Sequence, residues 1–145
     1  MSLIWSALDT FEELWDDTST YINGYNSSGN YYTGETYTSQ IGLGLKECIE
    51  YLNGTCTYVS SNNPTYNTYK FAVLADKSAT LSFWVLYSGS QTGHTVSVNG
   101  YKTVSCDNIT SNFLRVADGW NASIRYLNFT STDFINVYSY VFTIE

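Results

Sequence analysis

The sequence predicts an all-β protein, an antiparallel β-sandwich of jelly-roll type with a short N-terminal α-helix. Aromatic residues form 17% of the 145 residues, and 14 of them are tyrosines; aromatic and β-branched side chains fit a pleated sheet well. Roughly seven or eight short apolar runs follow one another between turn signals, as in sandwiches and barrels. Charged residues form only 13% of the chain and hydrophobic residues 43%, which excludes the composition of a disordered protein.

The length of the chain is typical of one domain, and we expect a single domain over residues 1–145. Within it, residues 1–24 are interpreted as an N-terminal helix and assembly segment. Residues 25–67 are interpreted as loops rich in Tyr, Asn and Ser together with the first strands. Residues 68–145 should form the main β-sandwich.

The N-terminal segment has the apolar spacing of an amphipathic helix over residues 4–16. Acidic residues occupy the positions between the apolar ones. Two interpretations of the apolar stripe stay open: it packs on its own domain, or it pairs with other copies of the chain. The candidate self-association residues are Ile4, Leu8, Phe11 and Trp15.

Turn signals and alternating apolar residues place the other elements. Residues 43–52 are either a helix or a strand, and Asn53-Gly54 resembles a hairpin turn. Strands are expected at 55–59, 69–75, 79–87, 95–98, 101–106, 113–117, 122–129 and 134–144, with a second hairpin turn at Asn99-Gly100. The last strand is apolar on both faces, so it should lie centrally in its sheet or be covered by another subunit.

Part of this pattern resembles a known family over residues 68–145. The residues are Phe71-Ala72-Val73, then Ala79-Thr80-Leu81-Ser82-Phe83-Trp84-Val85, then His94-Thr95-Val96-Ser97-Val98-Asn99-Gly100. This succession resembles the galactose-binding-like jelly-roll carbohydrate-binding modules. The resemblance implies a jelly-roll fold and binding of a sugar, but the aromatic sugar platform of that family does not map onto particular residues here.

We expect no enzymatic activity and no cofactor, because the familiar nucleophile, metal-protease and phosphate-loop motifs are absent from the sequence. The sole histidine, His94, is interpreted as an exposed turn residue. Four aspartates, each near the end of a predicted strand, either cap turns or converge on Ca²⁺. Turn capping is preferred and no metal site is predicted for Asp76, Asp107, Asp118 and Asp133.

The aromatic residues exceed what one small core requires, and a flat ring can stack on the apolar face of a sugar. Trp120, which lies between Gly119 and Asn121, is the leading candidate for carbohydrate binding. Tyr66 and Tyr69 are the other candidates. Trp84 is assigned to the core.

The formal net charge is −7, and the six cationic residues are isolated from one another. Nucleic acid and anionic membrane surfaces are therefore not expected as partners, and no apolar stretch is long enough for membrane insertion. The first seven residues lack the basic segment of a secretory signal peptide, so no signal peptide is expected. The alternative is that Met1-Ser2-Leu3 replaces a leader that was removed.

Cysteine and asparagine patterns leave alternatives open. Of the cysteines Cys48, Cys56 and Cys106, two or three are buried thiols, or two of them form a disulfide and one thiol is left over. Five glycosylation sequons compare with roughly three expected by chance from the composition, and they are either plain polar surface or glycosylated in a secreted protein. They begin at Asn26, Asn53, Asn108, Asn121 and Asn128.

Together these features predict a non-enzymatic structural or adhesive subunit displayed outside the cell or on a virion surface. It would be a virion decoration or fibre protein or a surface-filament subunit, homo-oligomeric, with a cell-surface glycan as a further partner. The alternative is a monomeric carbohydrate-binding module of a secreted enzyme or adhesin. The mass in solution separates the two.

Overall fold

The computed structural model describes residues 13, 14, 16–25, 32–87, 90–119, 123–130 and 134–145. These residues divide into two compact units. The first ends at Cys56 and includes Glu145, and the second spans residues 57–144.

The first unit contains a helical turn, a two-stranded sheet and one longer helix. Residues 13, 14, 16 and 17 are helical, which is where the predicted N-terminal helix ends. The rest of that prediction, including Ile4, Leu8, Phe11 and Trp15, lies outside the described residues. Strands β1 (Tyr21–Tyr25) and β2 (Tyr32–Glu35) pair antiparallel, and helix α1 spans Thr38–Tyr51.

Helix α1 resolves the alternative left open for residues 43–52 in favour of a helix. Gly44 is buried, and a Cβ atom there would lie 2.6 Å from the carbonyl oxygen of Asp17, so only glycine permits this approach to the preceding backbone. At the end of the helix, the Gly54 N–H donates to Ile49 O and the Asn53 N–H donates to Glu50 O. This is a Schellman ending, with Asn53 left-handed at φ 66°. Asn53-Gly54 therefore ends a helix, and the predicted hairpin turn there is wrong.

The second unit is a six-stranded open sheet with one helix. Its strands run in the order β3-β8-β4-β5-β6-β7, and β4, β5, β6, β7 and β8 are joined by antiparallel pairings. The bounds are β3 Cys56–Ser61, α2 Tyr66–Leu74, β4 Ser78–Tyr87, β5 Ser90–Cys106, β6 Ile109–Ala117, β7 Arg125–Asn128 and β8 Ile135–Ile144. Strand β8 lies between β3 and β4, which confirms the internal position predicted from its two apolar faces.

The core of this unit lies between helix α2 and one face of the sheet. Helix α2 contributes Tyr69 and Ala72, and strands β4, β5 and β6 contribute alternate residues because side chains on a strand point to opposite faces. Burying a side chain of this kind stabilises the fold by about 1.5–3 kcal/mol. The buried cluster comprises Tyr69, Ala72, Ala79, Leu81, Phe83, Val96, Val98, Leu114 and Val116.

Two predictions for this unit are wrong. Residues 69–75 are not a strand, because residues 69–74 belong to α2 and Ala75 caps its end. The helix begins after Thr65, whose N–H donates to Thr68 Oγ1 at 3.0 Å and so satisfies an amide at the start of the helix. Asn99-Gly100 is not a hairpin turn, because β5 continues through it for 17 residues. A β-bulge lies there instead, and a Cβ at Gly100 would be 3.1 Å from the Arg115 side chain.

The protein is thus mainly β and mostly antiparallel, as predicted. A jelly-roll sandwich is not confirmed, since the six-stranded sheet is open.

Candidate functional site

The two faces of the six-stranded sheet differ in what they carry. One face packs against α2 and forms the core; we call the other the outer face. The strand register assigns residues to it: Thr80, Ser82 and Trp84 of β4 alternate with the core residues of that strand. The outer face continues on the neighbouring strand β8. Tyr138 pairs there with Ser82, Tyr140 pairs with Thr80, and Phe142 follows on the same face.

At the β3–β8 side, the outer face is aromatic and buried. The ring of Tyr58 lies edge-on to that of Tyr140, with centroids 5.4 Å apart, and 5.8 Å from that of Phe142. Tyr140 and Phe142 are buried. These rings therefore act as a second apolar cluster and are not available to a ligand.

At the β5–β6 side, the outer face is apolar and exposed. The hairpin places alternate residues of both strands side by side, with Val104 opposite Ser111 and Cys106 opposite Ile109. Ile109 is 71% exposed and Val104 42%. Together they border an open depression of about 280 Å³, which we call the hairpin groove, lined by Val104, Cys106, Asp107, Ile109, Ser111 and Phe113.

Two cations stand at one end of the hairpin groove. Lys102 lies opposite Phe113, and Arg115 lies opposite Gly100 one step further along the same face. Tyr126 of the edge strand β7 pairs with Arg115 and is 57% exposed. The groove thus has apolar side chains beside the Asp107 carboxylate at the turn, and cationic and aromatic side chains follow at the other end.

Trp84 lies on the outer face, and its prediction as a core residue is wrong. The side chain is 39% exposed. A Cβ at Gly93, its partner on β5, would lie 3.3 Å from three atoms of the indole ring, so the ring rests over that glycine. A flat, partly exposed indole supported by a sheet can stack on a planar or sugar-like ligand.

The three residues predicted to bind carbohydrate are not brought together. Trp120 lies outside the described residues. Tyr66 begins α2, half-buried, with its hydroxyl 3.0 Å from Thr103 Oγ1 and its ring edge-on to that of Tyr101 at 6.2 Å. Tyr69 is fully buried, so its ring has no exposed face for a sugar and the assignment is corrected.

Tyr69 instead places a hydroxyl in the core. Neither this hydroxyl nor that of Ser139 on β8 has a hydrogen-bond partner, and both atoms are buried. Burial raises the pKa of the Tyr69 phenol far above its ordinary value of 10.0, because the charged form would lose its hydration. Ser139 opposes the rise, although the two hydroxyls do not reach the geometry of a good hydrogen bond.

The sole histidine is a strand residue and not the exposed turn residue that was predicted. His94 lies opposite Phe83 on β5, half-buried, with its ring edge-on to that of Phe83. Its Nε2 atom is 3.0 Å from the carbonyl oxygen of Asp118, a contact that fixes the ring at the end of β6.

Two of the four aspartates near strand ends, Asp76 and Asp107, lie in turns. Asp76 and Asp107 have φ angles of 55° and 49°, the left-handed region that Asp tolerates better than most residues. Asp118 lies 3.9 Å from Arg125, and Asp133 is outside the described residues. Among the residues that the structure describes, no group of three or more His, Cys, Asp or Glu side chains could hold a metal ion.

None of the three cysteines, Cys48, Cys56 and Cys106, forms a disulfide. Burial raises the pKa of Cys48, and the nearby carboxylates of Asp17 and Glu13 add to this. Burial likewise raises the pKa of Cys56. Both thiols are therefore held in their unreactive protonated form, whereas Cys106 is exposed on the hairpin groove.

Three of the five sequon asparagines are described, and all three are exposed: Asn53, Asn108 and Asn128. Asn108 has a φ of 67° at the turn between β5 and β6, directly beside the groove. Asn26 and Asn121 lie outside the described residues.

The hairpin groove was not predicted, because the hairpin turn was placed at Asn99-Gly100 and the strand after residue 106 was expected to begin only at residue 113, whereas β6 begins at Ile109. Read as one strand, residues 102, 104 and 106 fall on one face, and the alternation 109, 111 and 113 continues it across the turn.

No protein-family model matches the chain, and no curated protein sequence matches it significantly. No helix among the described residues is long and apolar enough to cross a membrane.

Proposed function

We propose that the protein is a non-enzymatic structural or adhesive subunit that assembles with copies of itself and is displayed outside a cell. A virion decoration or fibre protein and a surface-filament subunit are the settings that this proposal covers. The observation that carries it is the exposed apolar outer face at the β5–β6 hairpin.

Exposed apolar side chains are common when scattered, but contiguous ones mark interaction surfaces. Val104 and Ile109 are exposed on two adjacent strands of the outer face, beside the half-buried Phe113, and Tyr126 is exposed further along the same face, opposite Arg115. A residue 71% exposed, as Ile109 is, gains most of its hydrophobic stabilisation only when a partner covers it. The surface is therefore suited to burial in an assembly.

The composition supports display outside the cell. Polarity comes from Tyr, Ser, Thr and Asn and only 13% of residues are charged. Asn108 and Asn128 present their sequons on exposed positions at the turn and edge of the sheet, where a glycan has room.

The experiment is the mass of the full-length chain in solution across the micromolar range, measured by sedimentation equilibrium. We expect an oligomer whose population grows with concentration and falls when Ile109 is replaced by Asp. Val59→Asp is the matched control, since Val59 is 73% exposed on β3. A monomer at every concentration would refute the proposal.

A second candidate, a monomeric carbohydrate-binding module, is favoured by Trp84. Its indole rests over Gly93 on the outer face, in keeping with sugar stacking, and the resemblance of residues 68–145 to galactose-binding-like modules points the same way. This second candidate includes a jelly-roll sandwich as the fold and a glycan as the partner.

The test of this candidate is a broad glycan array followed by titration. Trp84→Ala and Trp120→Ala should each weaken binding by about 1 kcal/mol or more if the ring is an anchor. Tyr37→Ala is the control, because Tyr37 is 65% exposed outside the sheet unit. An array without binding would remove the candidate.

A further inference from the structure

The outer face of the β5–β6 hairpin carries opposite charges at its two ends. At the turn, the Asp107 carboxylate borders the hairpin groove, with its Oδ2 atom 3.6 Å from Cys106 Sγ. Two cations, Lys102 and Arg115, stand at the other end. About 16 Å of extended chain separates Asp107 from Lys102, so these two charges cannot pair within one chain.

A second copy of this face complements these charges only if the two hairpins run in opposite directions. With a twofold axis in the plane of contact and across the strands, the turn of each copy lies over the cationic end of the other. Asp107 of one copy then faces Lys102 of the other, and this pair occurs twice. With the axis along the strands, Asp107 would face Asp107 and Lys102 would face Lys102, and such juxtaposed like charges oppose binding. The charge pattern therefore selects the antiparallel orientation.

The apolar side chains between the charged ends have the size that the groove accepts. The groove has a volume of about 280 Å³, whereas the cavity left by one large aliphatic side chain is about 150 Å³, so the groove holds about two such side chains. Val104 and Ile109 project from the same face and are 42% and 71% exposed. When the axis passes through the Val104–Ser111 pair, the register brings Ile109 of one copy over Phe113 of the other. The Val104 and Ile109 side chains of each copy thus fill the groove of its partner.

We propose that two copies of the chain pack the outer faces of their β5–β6 hairpins on each other in antiparallel orientation. Ile109 of each copy lies in the hairpin groove of the other, and Asp107 of each lies against Lys102 of the other. This inference rests on the proposed self-assembly and names its interface. Both copies use the same surface, so the contact is isologous and closes at two copies. The dimer is then the unit from which any larger assembly is built.

Zero-length cross-linking of the full-length protein tests the orientation of the two hairpins. A carbodiimide joins a lysine amine to a carboxylate, with loss of water, where the two groups are in direct contact. Equal amounts of unlabelled and ¹⁵N-labelled chain are mixed at a concentration where sedimentation shows dimers, treated with the carbodiimide, digested and examined by mass spectrometry. We expect a Lys102–Asp107 cross-link that joins labelled to unlabelled peptide in the statistical ratio and that disappears when the protein is diluted to monomers before treatment.

Charge reversals test the same pairing by sedimentation equilibrium. Lys102→Glu and Asp107→Lys should each raise the dissociation constant of the dimer about tenfold, because the lost surface ion pair occurs twice in the dimer. The double variant exchanges the two charges and should bind nearly as tightly as wild type. Asp107 is left-handed at φ 49°, so Lys102→Glu, at an exposed strand position, keeps the test decisive if Asp107→Lys fails to fold. Lys77→Glu is the matched control, since Lys77 is exposed between α2 and β4, and it should leave the dissociation constant unchanged.

Other results would overturn this interface. An oligomer that forms no Lys102–Asp107 cross-link and is insensitive to Lys102→Glu would keep the proposed self-assembly but place its contact elsewhere. A dissociation constant that rises in Lys102→Glu and is not recovered in the folded double variant would contradict the antiparallel register. A Lys102–Asp107 cross-link that never joins labelled to unlabelled peptide would show that the two side chains meet within one chain. A monomer at every concentration would refute both the interface and the proposed self-assembly.

Discussion

Replacing Tyr69 by Phe should change how stability depends on alkaline pH. Tyr69 is fully buried, and its hydroxyl has no hydrogen-bond partner. Burial raises the pKa of this phenol above its ordinary value of 10.0, so the folded chain keeps the proton that the unfolded chain releases.

The sign and size follow from proton linkage. Below pH 10 both states hold the proton, and Tyr69 contributes no pH dependence. Above it, the folded state binds more protons than the unfolded state, so stability falls as pH rises, by at most about 1.4 kcal/mol per pH unit. Only half of the unfolded molecules have lost this proton at pH 10, so the further loss between pH 10 and pH 12 stays below the limit of about 2.7 kcal/mol that two pH units at this slope would give.

The assay is urea unfolding of wild type and Tyr69→Phe at pH 8, 10 and 11. At pH 8 the substitution should be neutral or stabilising by up to about 1 kcal/mol, because it removes a buried hydroxyl without a partner. At pH 11 the variant should be the more stable by a further margin of about 1 kcal/mol. Tyr126→Phe, which alters an exposed ring, is the matched control.

Parallel pH profiles of wild type and Tyr69→Phe would refute this reasoning. They would mean that the phenol reaches water or a partner when the protein is folded. A loss of more than about 1 kcal/mol at pH 8 would equally show that the hydroxyl has a good hydrogen bond.

Three further substitutions test the packing and the turns by thermal or urea unfolding. Leu114→Ala should cost about 2–5 kcal/mol because the residue is fully buried, whereas Val104→Ala should cost under about 0.5 kcal/mol; equal losses would contradict the assigned core. Gly44→Ala should destabilise the protein although Ala favours helices, because the new Cβ would lie 2.6 Å from a backbone oxygen. The control Glu47→Ala, on the exposed side of α1, should not destabilise it. A Gly44→Ala variant more stable than wild type would contradict the close approach of the two backbones. Asn108→Val should cost about 1–2 kcal/mol at a φ of 67°, and Asn108→Gly should be neutral or better; the reverse order would exclude a left-handed residue there.

The strands could be predicted from the sequence where side chains of different character alternate along the chain and so fall on opposite faces of the sheet. Strand β8 was predicted as Phe134 to Ile144 and observed as Ile135–Ile144, because its apolar residues repeat with the period of a strand on both faces. Its internal position followed from the same observation, since a strand apolar on both sides needs cover on both.

Helix α2 was missed because its composition favours a strand. Tyr69, Phe71 and Val73 alternate, and aromatic and β-branched residues suit strands in general. The tertiary contacts decide otherwise, since Tyr69 and Ala72, three residues apart, form the face that packs on the sheet. The Thr65-x-x-Thr68 spacing after Pro64 was the available signal for a helix start.

The groove could not be predicted because it depends on how β5 pairs with β6, and the position of the turn between these strands is ambiguous in the sequence. Asn-Gly is the strongest short-range hairpin signal, yet Gly100 lies within a strand, against the side chain of Arg115, and the chain turns at Asp107-Asn108 instead. Shifting the turn by eight residues moves Val104 and Cys106 onto a different strand pairing. The outer face, and the exposure of Trp84 on it, become visible only with that pairing.

A chain that assembles with copies of itself should exchange subunits between its oligomers. Unlabelled and ¹⁵N-labelled full-length protein are combined at the micromolar concentration where sedimentation is measured, and native mass spectrometry is recorded after equilibration. We expect oligomers that contain both isotopic forms in the statistical ratio. Spectra that contain only the two monomer masses, at every concentration, would contradict it.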